Sequence, residues 1–342
     1  MAPTPAGPWP ATSGEVAGDV ADCLGGAVHL AYAESAAPPL AAVTAGFAGY
    51  EAQTRARALA RVSALRHLHG LPEPGRPDSW PGKELRLADF VSDPPESLRL
   101  HAGGVGLLSG RRYRVPVEVV WAGERDCRVE PALTGVVDQG VAEAVAELVA
   151  HDVVARWWAD PREPLLRVSG WLGRLLPDGV LAAASGLGLR VSAFVLSAPE
   201  AKVAMVVVGG EGGTLAVAAG RGVKAAVCEA FLRAMAAKAE PWAGLALGEC
   251  LRRFAVWQRE ADYATHLERL GVDADPRIID EVSGLRPSGW PEIAARRFGH
   301  EPIAVRATAP GQTPVTGEAV KVVCPGALCY RVTPTLLPCP VG

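Results

Sequence analysis

"VAELVAHDVVARWW", residues 145–158, decides how the chain is read. Val145, Leu148, Val149 and Val153 recur at three- and four-residue steps, which places them on one face of a helix. Glu147 and Asp152 put two carboxylates on that helix, beside a histidine, His151, and the pair Trp157–Trp158. An amphipathic helix is expected over 137–158. A Trp pair at a helix end is read as a core plug, because two large rings bury apolar area there.

Outward from that helix, the flanking segments alternate between helical and extended patterns. "AQTRARALARVSALRHLH" (52–69) and "VKAAVCEAFLRAMAAKA" (223–239) read as alanine-rich helices. Helices are also expected over 245–269 and 291–297. "VAGDVADCLGGAVHLAYAE" (16–34) suggests a short helix, a turn and a strand. In "LLSGRRYRVPVEVVWAG" (107–123), Val115, Val117 and Val119 alternate along a strand fed by a hairpin-like turn. "LRVSAFVLS" (189–197), "KVAMVVVGG" (202–210), "IAVRAT" (303–308) and "EAVKVVCPG" (318–326) read as extended. These elements predict a mixed α/β (α+β) domain over residues 15–342. The proline-rich lead, residues 1–14, "MAPTPAGPWPATSG", has no basic-then-apolar layout and is read as flexible rather than as a signal peptide.

Composition narrows the partners. A net charge of −3 and a pI near 6.2 argue against broad binding to nucleic acid, which needs a basic face. No run of about 18 uncharged apolar residues is present, so no membrane span is expected. The seven cysteines include no CxxC pair, which disfavours zinc; reduced thiols and a cytoplasmic location are expected. The basic residues are mostly arginine, with only five lysines in the chain.

Common catalytic signatures fail on inspection. "VVVGGEGGTLAVAAGRG" lacks a strict GxGxxG, because Leu215 stands at the third glycine position, and a turn is the better reading. His67 and His69 lie two apart and point to different faces of a helix. His29, His101, His266 and His300 are scattered and show no triad logic. No GxSxG elbow and no GxxxxGK[ST] loop occurs. Arg233 and Glu229, four apart, pair along one helix face.

Taken in order, several segments resemble the YcaO family. "LLSGRRYRVPVEVVW" resembles that family's stretch ending in a "VPa" strand. "AVAELVAHDVVARWW" resembles its "AlxElvERDaxxrwW" helix, and "AAGRGVKAAVCEAFLRAM" its "GxGxxxxxAlxxAlxEaxQ" segment. "EAVKVVCPGALCYRV" resembles its "vVrvivPGlE" strand. "GYEAQTRARALARVSAL" is similar to the helix that carries an "ExxER" signature. The resemblance spans roughly residues 16 to 342. It implies sheets flanked by helices around a central cleft. In the family that cleft binds ATP and magnesium, and a peptide backbone amide oxygen is activated by phosphorylation. Azoline, thioamide or amidine groups result, commonly with a partner that captures the precursor peptide.

The departures fall on the nucleotide ligands. On the first helix the expected glutamates are Arg61 and Ala64, and the expected arginine is Leu65. On the second, Glu147 is kept, the next glutamate is Ala150, the arginine is His151, and Asp152 remains. "TGVVDQG" stands where the family shows "SNGxAxG". On the third, Glu229 is kept and the expected glutamine is Leu232. At the C-terminus a PxPxP tail is reduced to Pro338-Cys339-Pro340, with Leu336 at the first proline's place. Magnesium on a nucleotide is held by hard oxygen ligands. Reversing one unit charge at about 4 Å is worth roughly 4 kcal/mol at an effective dielectric of ~20.

Three readings follow. The first is a degenerate subunit of a peptide-modifying (azoline- or thioamide-type) complex. It would lack ATP chemistry of its own, hold a precursor peptide or an active partner enzyme, and work in a homo- or hetero-oligomer. The second is an active ATP- and magnesium-dependent cyclodehydratase with a rearranged site. There Glu147, Asp152 and Glu229 face the cofactor, Glu147 and Glu229 being the metal ligands, and Arg61 touches phosphate. The third is an unrelated α/β protein whose segments match through shared composition.

Overall fold

The computed structural model describes residues 16–36, 39–69, 81–97, 99–120, 129–130, 136–137, 141–198, 200–210, 213–239, 261–281, 289–306, 320–329 and 331–332. The lead 1–14, residues 245–260 of the helix expected over 245–269, and Leu336, Pro338, Cys339 and Pro340 lie outside them.

Along the chain, β1 (Val16–Cys23), β2 (Val28–Ala36) and β3 (Pro39–Phe47) precede α1 (Glu51–His69). Then come β4 (Lys83–Glu84), β5 (His101–Gly106), β6 (Arg112–Pro116), β7 (Val129–Glu130) and β8 (Val136–Val137), followed by α2 (Val141–Ala159). β9 (Leu166–Arg167), α3 (Leu172–Leu175) and α4 (Val180–Gly186) lead to β10 (Val191–Ala198), β11 (Ala201–Val208) and β12 (Thr214–Gly220). α5 (Val223–Ala239), α6 (Tyr263–Leu270), β13 (Val272–Asp273), α7 (Arg277–Asp280) and α8 (Trp290–Phe298) follow. β14 (Ile303–Arg306), β15 (Val320–Val323) and β16 (Arg331–Val332) end the described chain. Its architecture is mixed α+β.

The strands form a β1-β2-β3 meander, a five-stranded sheet ordered β12-β11-β10-β9-β13, a six-stranded sheet ordered β4-β6-β5-β14-β15-β8, and the β16-β7 ribbon. Residues 16–23 are therefore a strand, not the expected short helix. Leu24, Gly25 and Gly26 all take positive φ, of 51°, 64° and 83°, and reverse the chain. That reversal lays Val16–Cys23 against β2, from Val16↔Ser35 to Cys23↔Val28. Such left-handed turns favour glycine because it has no Cβ to clash.

α2 is buried on nearly every side rather than on one stripe. Val145, Leu148, Val149 and Val153 are buried, but so are Ala144, Ala146, Glu147, Ala150, Asp152 and Val154. The cause is its place between two sheets. Phe194, Leu196, Val203, Met205 and Val217 meet it from the five-stranded sheet, and Val115, Ile303, Val305 and Val322 share the same core from the six-stranded sheet. Trp157, 7% exposed, plugs this core, and its indole N–H donates to the Glu163 carbonyl at 2.8 Å.

The central strands alternate between two cores, as a sheet covered on both faces requires. Ala193, Val195, Ala204, Val206 and Val208 face the second core, built with Val223, Val227, Ala230 and Phe231 of α5. Phe231 stacks on Phe47 of β3, with ring centroids 6.3 Å apart. α1 lies on the meander through small residues: Ala31, Ala33 and Ala42 face Ala58, Val62 and Leu65. At Gly46 a Cβ would fall on the Thr54 hydroxyl, so glycine there permits the close approach of α1.

The strand expected beyond Pro116 is shorter than the alternation suggests. Val117–Val119 turn into a 3-10 helix, and Val117, Glu118, Val119 and Val120 are all buried. The Glu118 carboxylate there accepts the Ser97 hydroxyl at 2.8 Å. α8 begins with Pro291 in its first turn and ends at Gly299, φ 73°, as helix start and stop chemistry dictates. Among the described residues no helix is long and apolar enough to cross a membrane.

Candidate functional site

α1, α2 and α5 meet beside β15. The first link is an ion pair between Arg57 of α1 and Glu143 of α2, at 3.3 Å. One turn further along both helices stand Arg61 and Glu147. Glu147 is 8% exposed, and such burial of a carboxylate demands a partner. The partner is Arg233 of α5, whose Nη1 donates to Glu147 Oε1 at 2.6 Å. The same guanidinium donates through Nε to Glu229 Oε1 at 3.0 Å. Burial works against the charge of Arg233, but Glu147 and Glu229 outweigh it and hold its pKa above the ordinary arginine value.

Lys321 of β15 completes the group. It is 1% exposed. Burial pulls its pKa down to about 8, with Arg61 adding to the fall while Cys329 and Glu147 support the charge. Lys321 thus lies within electrostatic reach of both Arg61 and Glu147. Arg61 itself is half-buried and has no hydrogen bond or ion pair among the described residues.

Of the residues singled out from the sequence, Arg61, Glu147 and Glu229 come together here. Asp152 does not share their partners. It is fully buried and accepts Arg156 Nε at 2.9 and 3.0 Å, Arg297 Nε at 2.7 Å and the Leu328 N–H at 2.8 Å. Arg156 also donates to the Gly326 carbonyl at 2.9 Å. Asp152 thereby fastens α2 to α8 and to the turn after β15. Other positions where the resemblance implies polar ligands lie inside the core: Ala64 and Ala150 are 0% exposed, Leu65 4% and Leu232 9%.

Sequence reading missed two members. Arg233 was legible as the i,i+4 partner of Glu229, but its bond to Glu147 crosses 86 residues of chain. Lys321 stands in the apolar run "VKVVC", where a charge was itself a signal. His29, one of the scattered histidines, is 6% exposed; its Nδ1 lies in hydrogen-bond contact with Asp22 at 2.8 Å, and its other ring nitrogen faces Glu51 at the start of α1. Cys324 and Cys329 are buried in the core and form no disulfide.

This donor set does not fit magnesium. The ion takes hard oxygen ligands in near-octahedral geometry. Both carboxylates that the resemblance assigns to it are hydrogen-bonded to one guanidinium, and the third, Asp152, is committed to Arg156 and Arg297. Among the described residues, no three His, Cys, Asp or Glu side chains are grouped to hold a metal.

No protein-family model matches the sequence, and no curated protein matches it significantly. Solved structures do. YcaO from Methanopyrus kandleri, bound with AMPPCP and Mg2+, superposes with a TM-score of 0.63 at 17% identity, over 91% of this chain and 85% of that one. A heterocyclase in complex with substrate and cofactor gives 0.66 at 14% identity, over 91% of this chain and 50% of that one. In the E. coli microcin synthetase McbBCD complex, a chain gives 0.61 at 11% identity, over 95% of this chain and 90% of that one. The same complex has also been solved with pro-MccB17 bound. Over about nine-tenths of its length, the chain has the YcaO fold.

Proposed function

We propose that the protein is a YcaO-like subunit of a peptide-modifying complex that makes azoline- or thioamide-type groups. It holds a precursor peptide or an active partner enzyme and does not itself activate amides with ATP. The observation that carries this reading is the Arg233 guanidinium, bonded to Glu147 at 2.6 Å and to Glu229 at 3.0 Å, where the resemblance calls for metal-binding carboxylates. A fixed cation there bonds to both glutamates and offsets half of their charge. A divalent ion would have to displace it and leave a partly buried guanidinium unpaired. Structures of similar fold work in assemblies: McbBCD is a complex, and it is solved with pro-MccB17. Cytoplasmic residence suits a subunit that meets a newly made peptide.

The test is calorimetric titration of the full chain with Mg–ATP. No heat of binding at micromolar concentrations is expected. Micromolar, magnesium-dependent affinity would overturn the reading. It would favour an active enzyme whose Glu147 and Glu229 release Arg233 to take the metal.

A further inference from the structure

β1 (Val16–Cys23) is the outermost strand of the meander, and among the described residues no strand lies on its other side. Its pairing with β2 runs unbroken from Val16↔Ser35 to Cys23↔Val28, so no bulge twists the edge away. It carries no proline and no lysine, two residues that commonly blunt such an edge. Asp19, Val20, Ala21 and Asp22 are all exposed, although successive side chains of a strand point to opposite faces. The other described sheet edges differ. β4, β8, β13 and both strands of the β16-β7 ribbon are two residues long, and β3 and β12 are largely buried. An exposed edge of eight residues, with the N–H and C=O groups of alternate residues turned outward, is a template for one more strand.

Charge decides what that strand is. No lysine or arginine occurs before Arg55, whereas Glu15, Asp19, Asp22, Glu34 and Glu51 do. Asp19 lies opposite Tyr32 of β2, whose hydroxyl donates to Glu34 at 3.0 Å. Asp22 points to the other face, opposite His29, and its side chain stays 76% exposed. A second copy of β1 would bring two more aspartates to the ribbon. In the antiparallel register that sets Asp19 against Asp22, like charges meet twice. The edge therefore disfavours its own copy and suits a basic chain. We propose that β1 receives an extended, basic segment of the precursor peptide as a fourth strand, with two cationic side chains three residues apart opposite Asp19 and Asp22. That spacing sends one cation to each face of the sheet, as the two aspartates require. Backbone hydrogen bonds supply the affinity of such an added strand, and the aspartates select its sequence. The inference rests on the peptide-holding reading above and names the segment held and the strand that holds it.

Hydrogen–deuterium exchange of the full chain, without nucleotide or magnesium and at constant ionic strength, tests it with three synthetic probes. The first is acetyl-Thr-Val-Lys-Val-Thr-Lys-Val-Thr-amide. The second carries glutamate in place of both lysines. The third is the lysine peptide N-methylated at its four central residues, which removes backbone donors and keeps the charge. The lysine peptide is expected to slow exchange at alternate amides of residues 16–23 by about tenfold once nine-tenths of the chain is bound, and the other two are not. Asp19→Lys is expected to raise the peptide concentration needed for half of that protection by about fivefold or more, the scale of a lost cross-strand charge pair. No protection at 16–23, equal protection by the glutamate or the N-methylated peptide, or an unchanged half-point in Asp19→Lys would each overturn the proposal. Protection of 16–23 that grows with protein concentration in the absence of peptide would overturn it as well, by placing a second copy on the edge. If Asp19→Lys fails to fold, the comparison of the three peptides on the natural chain decides alone. Mg–ATP binding would sink the subunit reading. Failure of the lysine peptide in the absence of nucleotide sinks only the β1 site.

Discussion

Removing Arg233 should turn a cluster whose two glutamates share one guanidinium into a cation-seeking one. In Arg233→Ala, Glu147 keeps its buried place, at 8% exposure, and loses its 2.6 Å bond to the guanidinium. Breaking a buried ion pair from one side costs about 3–5 kcal/mol, and the lower end applies because the Arg233 side chain is 28% exposed. Unfolding entropy is about 2.1 cal/mol/K per residue, so about 3 kcal/mol over 342 residues lowers the midpoint by about 4 °C. Two further measurements identify the cause. Adding Glu147→Gln to Arg233→Ala should restore part of the loss, because the charge that Arg233 served is gone while the volume remains. Millimolar magnesium should raise the midpoint of Arg233→Ala and leave the natural chain unmoved, since only the variant offers Glu147 and Glu229 without a guanidinium between them. The assay is thermal unfolding of the four chains in a double-mutant cycle, with and without magnesium. Equal magnesium shifts in the natural chain and in Arg233→Ala would refute the reasoning, because Arg233 would then not be what bars the metal.

Two more perturbations test the frame around the cluster. Asp152→Asn, at a fully buried position facing Arg156 and Arg297, should cost about 3 kcal/mol in urea unfolding, and a loss below about 0.5 kcal/mol would contradict its role as a fastener. At Glu301, burial opposes the charge, but the hydroxyls of Ser109 and Tyr113 and the backbone N–H groups of Ser109 and Leu108 outweigh it and hold the pKa at about 2, against an ordinary 4.5. A depressed carboxylate pKa stabilises above the unfolded value and loses that contribution as pH falls from about 4.5 to about 2. Partial exposure reduces the contribution to about 2 kcal/mol. The gap in urea midpoint between the natural chain and Glu301→Gln should therefore be widest at pH 7 and narrow by pH 3; a gap independent of pH would refute it.

The elements that sequence reading placed well are those whose pattern is local. α5 has its expected bounds, and β10 and β11 lie within a residue or two of theirs, because unbroken Val- and Ala-rich runs declare themselves. What failed depended on distant chain. Residues 16–23 form a strand only because β2 comes back alongside through a turn with positive φ at Leu24, Gly25 and Gly26. β3, β5 and β12 went unread because each takes its identity from a neighbour in its sheet. α2 was legible as a helix, but its all-round burial follows from two sheets that its own sequence does not specify. The site divides in the same way. Glu147 and Glu229 were visible as carboxylates on helices, and the cation that joins them was visible only as a partner of one.

The positions that depart from the resemblance explain why the site could not be rebuilt by one change. Ala64 and Ala150 are wholly buried, and Leu65 and Leu232 pack in cores at 4% and 9% exposure. Glutamate at 64 or 150 would enter closely packed apolar surroundings, where an unpaired charge is either neutralised or expelled with the helix that carries it. Arg61 is different, because it is only half-buried and lies within electrostatic reach of Lys321. Arg61→Glu alone would place a third carboxylate near Glu147 while Arg233 still bonds to both glutamates. Metal competence needs Arg233 removed first and acidic residues added second. The two substitutions act on one cluster, so their effects on magnesium binding should be strongly non-additive. Arg61→Glu should gain little alone, Arg233→Ala somewhat more, and the pair more than their sum. Additive effects in magnesium titrations of the three variants would show that Arg61 and the Glu147–Arg233–Glu229 group are separate sites rather than one.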